Sequence, residues 1–359
     1  MILQREEWSL LGSMRGVLIG NHLSGPIMQV VVLAGGVGSR LRPWTNSIPK
    51  PLLPMLDATL LERVIEGVPN HLIDEVVVAG GYKVDMIKDY FATADVDFDI
   101  RIVPEDKPLG TGGALGNCRD IVSGTFACFN GDIVSSLHIE PLLNLHSNNG
   151  GIGSLALWEV EDPTRFGIVG IDENQRITKF KEKPTPDEVF SNLINAGSYI
   201  FEDDIFDYIP RKKNSIEREV FPVLAEDKLL NGQQFKGYFI DAGTPASWAD
   251  GVAKCIEEKR FSKGQVIASS WYATSNQSPQ ATVRDSMIEA NVTLSNSTIT
   301  SSTLLQGAKV GSDSRLHASM IGRDAVIGSN VRLSGVVVEN GSTVPDGTIA
   351  EGGQWPPTV

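Results

Sequence analysis

Short apolar runs alternate with helically spaced stretches from residue 28 to about 250. Gln29-Val30-Val31-Val32 reads as a strand that enters a glycine cluster, and residues 60–68 carry a helical spacing of apolar positions. Residues 75–79 form a strand closed by Gly80-Gly81, 84–91 a helix, and 98–103 another strand. Residues 125–129 give a buried strand that delivers Asn130-Gly131-Asp132 at its end. Two alternating runs, 166–170 and 177–180, flank Asp172-Glu173-Asn174 as paired strands around a turn. A helix with Ser215 as N-cap covers 215–224, the strand 236–240 ends in Asp241, and the helix 248–259 closes the region. This order predicts an α/β fold: a Rossmann-like, mostly parallel sheet covered on both faces, with ligands at the carboxyl ends of its strands.

From Gln280 the pattern changes. Helical spacing vanishes and apolar positions recur every six residues: Val292, Thr298, Leu304, Val310 and Leu316, then Ile321, Ile327 and Leu333, then Val338 and Val344, each set offset by one deletion. This hexapeptide repeat predicts a short left-handed parallel β-helix with one inward aliphatic residue per flat face and small residues at the corners. The expected divisions are an N-terminal extension at 1–27, a catalytic domain at 28–259, a linker at 260–279 and the β-helix at 280–359. Such repeats stack or cap, so a homo-oligomer formed through the C-terminal domain is expected. Acyl transfer, known for some hexapeptide proteins, is disfavoured by the few coils and by His317 as their only histidine.

Composition changes this picture little. Of 359 residues, 41% are hydrophobic and 21% charged, ordinary for a globular protein. No stretch reads as a membrane span or a secretory signal, so the cytoplasm is the expected location. Cys118, Cys128 and Cys255 lack paired spacing and read as reduced structural thiols. A net charge of −13 argues against a nucleic acid polymer as partner, yet permits a local basic pocket for a nucleotide.

The candidate chemistry lies at the strand ends. Gly35, Gly36 and Gly38 allow bare backbone N–H groups to approach an anion, with Arg40 and Arg42 adding charge; a plain turn into a helix is the bland alternative. No Gly-Lys-Ser/Thr closes the loop, and its glycines are wrongly spaced for a dinucleotide fingerprint. A second loop, Leu109-Gly110-Thr111-Gly112-Gly113-Ala114, serves either close backbone approach or a glycine-capped helix start. Asp132 and Asp241, each at a strand end, are candidate Mg²⁺ ligands, although either alone reads equally as a turn residue. Lys181-Glu182-Lys183-Pro184 is, on charge alone, a solvated face.

Residues 33–45, with Pro49-Lys50-Pro51 close behind, resemble the signature LAGGxGTRLxPLT of the sugar-1-phosphate nucleotidylyltransferases. Ser39 replaces the usual Thr and Trp44 the usual Leu. The resemblance implies that Leu33, Ala34, Gly35, Gly36, Gly38, Ser39, Arg40, Lys50, Gly110, Thr111 and Gly112 bind the nucleoside triphosphate. It further implies that Gly167, Glu182, Lys183 and Asn195 bind the sugar phosphate, that Mg²⁺ lies between Asp132 and Asp241, and that Arg40, Lys50, Asp132, Lys183 and Asp241 serve single-displacement catalysis. The second glycine loop is most similar to that of the guanylyltransferases. GTP is therefore the expected nucleotide, and mannose 1-phosphate, its commonest partner in that family, the expected sugar. A heptose 1-phosphate with GTP, or glucose 1-phosphate with UTP or dTTP, is the alternative. A non-catalytic nucleotide-sugar-sensing subunit is the alternative of another class; it predicts loss of the catalytic residues, and none is lost.

Overall fold

The computed structural model describes residues 27–273 and 280–357, so most of the stretch expected to be an N-terminal extension lies outside the described residues. The chain opens with β1 (Met28–Leu33), α1 (Trp44–Ser47) and α2 (Leu60–Ile65), the last held by a capping box between Thr59 and Glu62. It continues through β2 (Ile73–Gly80), α3 (Val84–Phe91), β3 (Asp99–Pro104), α4 (Gly110–Gly116), β4 (Phe126–Asn130), β5 (Ile133–Ser135) and α5 (Glu140–Asn149). Next come β6 (Gly153–Glu159), β7 (Gly167–Ile171), β8 (Ile177–Glu182) and β9 (Leu193–Phe201). The domain ends with α6 (Phe221–Glu226), β10 (Leu230–Gln234), β11 (Phe239–Asp241) and α7 (Pro245–Glu257).

Nine of these strands form one sheet, ordered β8-β7-β9-β4-β1-β2-β3, with β6 and β10 continuing from β9. The sheet is mixed. β3, β2, β1 and β4 run parallel because a helix or long connection separates each from the next. β9 runs antiparallel to β4, β6 and β7, and β7–β8 is the expected hairpin. Strand residues alternate between two apolar layers: Val30, Val32, Val76 and Val78 face one core, Val31, Val77 and Ala79 the other. All three cysteines are buried and unpaired, as their apolar surroundings predict.

The C-terminal region is a left-handed parallel β-helix of three sheets. Paired positions Met320, Val337 and Gln354 recur at seventeen residues, one short of three hexapeptides, so every such coil carries a five-residue step. The first coil steps too, which the sequence pattern hid. Leu294 and Ile299 point inward there, whereas Val292 is half-buried and Thr298 exposed. Beyond that coil the inward residues are the expected ones, from Leu304 to Val344. Ser270, Ser286, Ser302 and Ser319 stack at one buried corner, and each of the last three donates its backbone N–H to the Oγ of the serine one coil before.

The expected linker is partly strand. Gln265–Ile267 pairs antiparallel with Ser270–Tyr272, which in turn pairs parallel with Met287–Ile288. Alternation explains it, since Trp271 points into the body's core and Tyr272 into the β-helix core. The same face of the β-helix sends Met287, Met320 and Val337 into that core cluster, so the two domains share a packed seam.

Candidate active site

The loops that matter leave the carboxyl ends of β1, β3 and β4. After β1, Ala34 donates its N–H to Ala79, and Leu33 accepts the N–H of Gly131, so both groups are already engaged within the sheet. From Gly35 to Ser39 the backbone N–H groups have no partner among the described residues. Gly38 has φ +62°, and a side chain there would meet Thr45; the hydroxyl of Thr45 donates to the Gly38 carbonyl at 2.9 Å. That conformation turns the chain into Ser39–Leu41, leaving Gly36, Ser39, Arg40 and Arg42 exposed.

Asp132 follows β4. Asp241 ends β11, which pairs with β5, and Ala242 donates its N–H to the carbonyl of Asp132. Each carboxylate meets a cation from the glycine-loop side: Lys50 Nζ lies 2.8 Å from Asp132, and Arg40 lies 3.9 Å from Asp241. The Lys50 side chain is only 9% exposed, so its charge is directed at Asp132. Burial, and then the neighbouring Asp132 charge, raise the Asp241 carboxyl above its ordinary value, against the pull of Lys50 and Arg40. Asp241 Oδ1 is buried without a hydrogen-bond partner among the described residues. Two adjoining carboxylates with a buried free oxygen suit a hard divalent cation that takes its other ligands from phosphate and water. No cluster of three or more acidic, His or Cys ligands exists among the described residues, so such a cation would depend on its substrate for coordination.

Both aspartates open onto a cavity of about 370 Å³, also lined by Thr111, Gly167, Glu182, Lys183 and Asn195. Lys183 takes φ +47°, uncommon for a lysine, while its N–H donates to Phe166. Its side chain is exposed, and Glu182 beside it is 14% exposed. Burial, followed by the charge of Glu217, raises the Glu182 carboxyl, with Lys183 and Arg218 opposing. Asn195 accepts from the Gly197 N–H and donates to the Tyr199 hydroxyl. The charge run of 181–183 is thus divided: Lys181 pairs outward with Glu188, while Glu182 and Lys183 line the cavity.

Of the two expectations for the second glycine loop, the structure shows the helix start. It is the helix α4, and Gly112 and Gly113 are buried against the segment that carries Asn214. A side chain on Gly112 would strike Asn214 Oδ1, and Gly113 donates its N–H to the Asn214 carbonyl. These glycines permit close packing of two chain segments. Thr111 alone of the loop lines the cavity, its hydroxyl donating to Glu217 at 2.6 Å.

Residues 29–258 match the Nucleotidyl transferase family and residues 268–351 the GlmU-like, C-terminal hexapeptide family. The chain belongs to the nucleotidyl transferase family. Mannose-1-phosphate guanylyltransferase catalytic subunit beta of Dictyostelium discoideum is 34% identical over 67% of this chain and 68% of its own. Mannose-1-phosphate guanylyltransferase 1 of Arabidopsis thaliana is 32% identical over 65% and 66%. Among solved structures, HddC from Yersinia pseudotuberculosis complexed with GMP-PN is 28% identical with a TM-score of 0.51, covering 63% of this chain and 99% of HddC.

Sequence reading of this nucleotidyl transferase missed several cavity residues. Asn130, Arg165, Glu217 and Arg218 also line the cavity, and Asn130 Oδ1 is buried without a partner among the described residues. Asn130 could have been found from its place at the end of β4, two residues before Asp132. Arg165 and Arg218 are exposed and carry no local pattern. Glu105, at the end of β3, was missed as well. It is buried beside Gly35, its Oε2 accepts the Leu109 N–H at 3.1 Å, and burial raises its carboxyl.

Proposed function

We propose that the chain is a mannose-1-phosphate guanylyltransferase, converting GTP and mannose 1-phosphate to GDP-mannose and pyrophosphate. The observation that carries this reading is the constellation of Asp132 and Asp241, each facing a cation of the glycine-loop segment, at the mouth of a cavity bearing Lys183 and Glu182. The relatives named as mannose-1-phosphate guanylyltransferases, and HddC with its guanine nucleotide analogue, support guanine. Gly112, packed against Asn214, adds nothing to the choice of base.

In this mechanism an oxygen of the sugar phosphate attacks the α-phosphorus in line, and the bond to pyrophosphate breaks on the opposite side. The free amides of 35–39, with Gly110 at the mouth of the second loop, cradle the triphosphate. Arg40 and Lys50 hold the departing β- and γ-phosphates, and Lys183 fixes the nucleophilic phosphate. Glu182 and Asn195 take sugar hydroxyls, and the bare backbone of Gly167 allows the ring to approach. Asp132 and Asp241 would hold Mg²⁺, which when bound neutralises charge on the reacting phosphates. We place the enzyme in the cytoplasm and the C-terminal β-helix in a homo-oligomeric contact. Among the described residues no helix is long and apolar enough to cross a membrane.

A pyrophosphate-release assay over four nucleoside triphosphates and several sugar 1-phosphates tests the reading. GTP with mannose 1-phosphate should give the highest kcat/KM. A kcat/KM with UTP or dTTP equal to that with GTP overturns the guanine assignment. Mannose 1-phosphate inert beside an active heptose 1-phosphate overturns the sugar alone.

A further inference from the structure

Trp44 stands where the family signature has Leu, and the fold gives this departure a use. It opens α1, directly after the glycine loop, and is 1% exposed within the core cluster that holds Met287, Met320 and Val337 of the β-helix. Its indole N–H donates to the Val338 carbonyl at 2.9 Å. That carbonyl also accepts the N–H of Gly322 within the β-helix. At the other end of α1, Asn340 donates to the Ser47 hydroxyl at 3.0 Å.

The opposite side of α1 holds the loop. Thr45, adjacent to Trp44, donates to the carbonyl of Gly38, and its own carbonyl accepts from the Tyr82 hydroxyl at 2.7 Å. Thr45 also fills the space a Gly38 side chain would need. A shift of α1 therefore moves Gly38, the residue whose left-handed backbone shapes the loop. Leucine could fill part of the indole's volume but has no donor for Val338.

We propose that Trp44 is a positioning residue through which the C-terminal β-helix holds the glycine loop in its triphosphate-binding conformation. This rests on the reading that the loop binds the triphosphate. The tail would thus support one substrate's site and leave the sugar cavity, on the far side of Asp132 and Asp241, untouched.

The test uses the full chain with Trp44→Phe, which keeps a ring but removes the N–H. Gly322 still bonds the Val338 carbonyl, so no buried acceptor is orphaned. The KM for GTP should rise about three- to tenfold, the worth of one net hydrogen bond, while the KM for mannose 1-phosphate stays within about twofold. In the substrate-free protein, amide hydrogen exchange at Leu41, Arg42 and Asn46, whose N–H groups bond to the Gly38, Ser39 and Pro43 carbonyls, should quicken while β1 and β4 keep their protection. A lower kcat with both KM values unchanged, or unaltered exchange at Leu41, Arg42 and Asn46, overturns the proposal. Should Trp44→Phe fold poorly, Asn340→Ala cuts the second tie from the surface. It should raise the KM for GTP in the same direction, and an unchanged KM again overturns the coupling. The exchange measurement needs no substrate, and the kinetics are repeated with UTP, so a wrong nucleotide and a wrong coupling give different results.

Discussion

Replacing Asp241 by Asn should move activity and stability in opposite directions. Asp241 shares its corner with Asp132, its Oδ1 has no hydrogen-bond partner among the described residues, and its nearest cation, Arg40, stands off at 3.9 Å. The amide keeps the shape and removes one of two like charges. Because the Asp132 side chain is 36% exposed and already paired with Lys50, solvent screens the repulsion, and its relief is worth about 1 kcal/mol. In Mg²⁺-free buffer that corresponds to a Tm higher by roughly 2–4 °C. Loss of one ligand to a catalytic cation removes about 4 kcal/mol of transition-state stabilisation, or about a thousandfold in kcat. Pyrophosphate release measures the second effect and scanning calorimetry the first. Calorimetry with and without Mg²⁺ supplies a control, since a ligand that binds the native state raises Tm and the variant should lose most of that rise. Turnover within tenfold of wild type, or a Mg²⁺-dependent rise in Tm equal to that of wild type, refutes the assignment of Asp241 as a ligand.

Glu182→Gln should raise the KM for the sugar phosphate and also stabilise the protein at neutral pH. A carboxyl whose folded pKa is raised loses native-state stability as pH climbs from its ordinary value of 4.5 through the raised one. The Tm gain of the variant should therefore be largest at pH 7–8 and vanish near pH 4; a gain independent of pH contradicts the burial argument. Gly112→Ala should destabilise by about 1–3 kcal/mol in urea, because Asn214 is pinned by its bonds to the Pro210 and Lys212 carbonyls and cannot retreat freely from a new Cβ. Unchanged stability with a raised KM for GTP would return Gly112 to the nucleotide site. Light scattering on the full chain should give a particle mass that is a multiple of 38.8 kDa, and a single-chain mass removes the assembly role of the β-helix.

The strand ends were legible because each is a local event: an apolar run, then a glycine or aspartate that cannot continue it. Asp132 and Asp241 read that way, and the fold sets Asp132, in the turn between β4 and β5, beside Asp241 at the end of β11, which pairs with β5. What was illegible depends on a partner remote in sequence. Gly112 looks like a nucleotide-facing glycine until Asn214 is seen against it. Glu105 is one acidic residue in a polar stretch until Gly35 covers it. In the β-helix the six-residue period was plain, but a five-residue step that moves the inward position from Thr298 to Ile299 leaves no mark in a sequence of Ser, Thr and Asn. The expected linker concealed Trp271 and Tyr272, whose opposite orientations only two cores could use.

The strand order explains why the chemistry sits where it does. From β1 the chain adds β2 and β3 on one side, then returns to place β4 on the other, so the connections after β1 and β4 diverge and leave a crevice between them. The glycine loop and Asp132 are the two lips of that crevice, and Lys50 spans it to Asp132. Beyond β4 the sheet turns antiparallel with β9 and β7, which brings Asn195, Gly167 and the end of the β7–β8 hairpin to the same edge. On the proposed reading the parallel half therefore presents the triphosphate and the antiparallel half the sugar phosphate, with the two aspartates at the seam. Changes confined to one half should then alter the KM of one substrate, while changes at the seam should lower kcat for any pair.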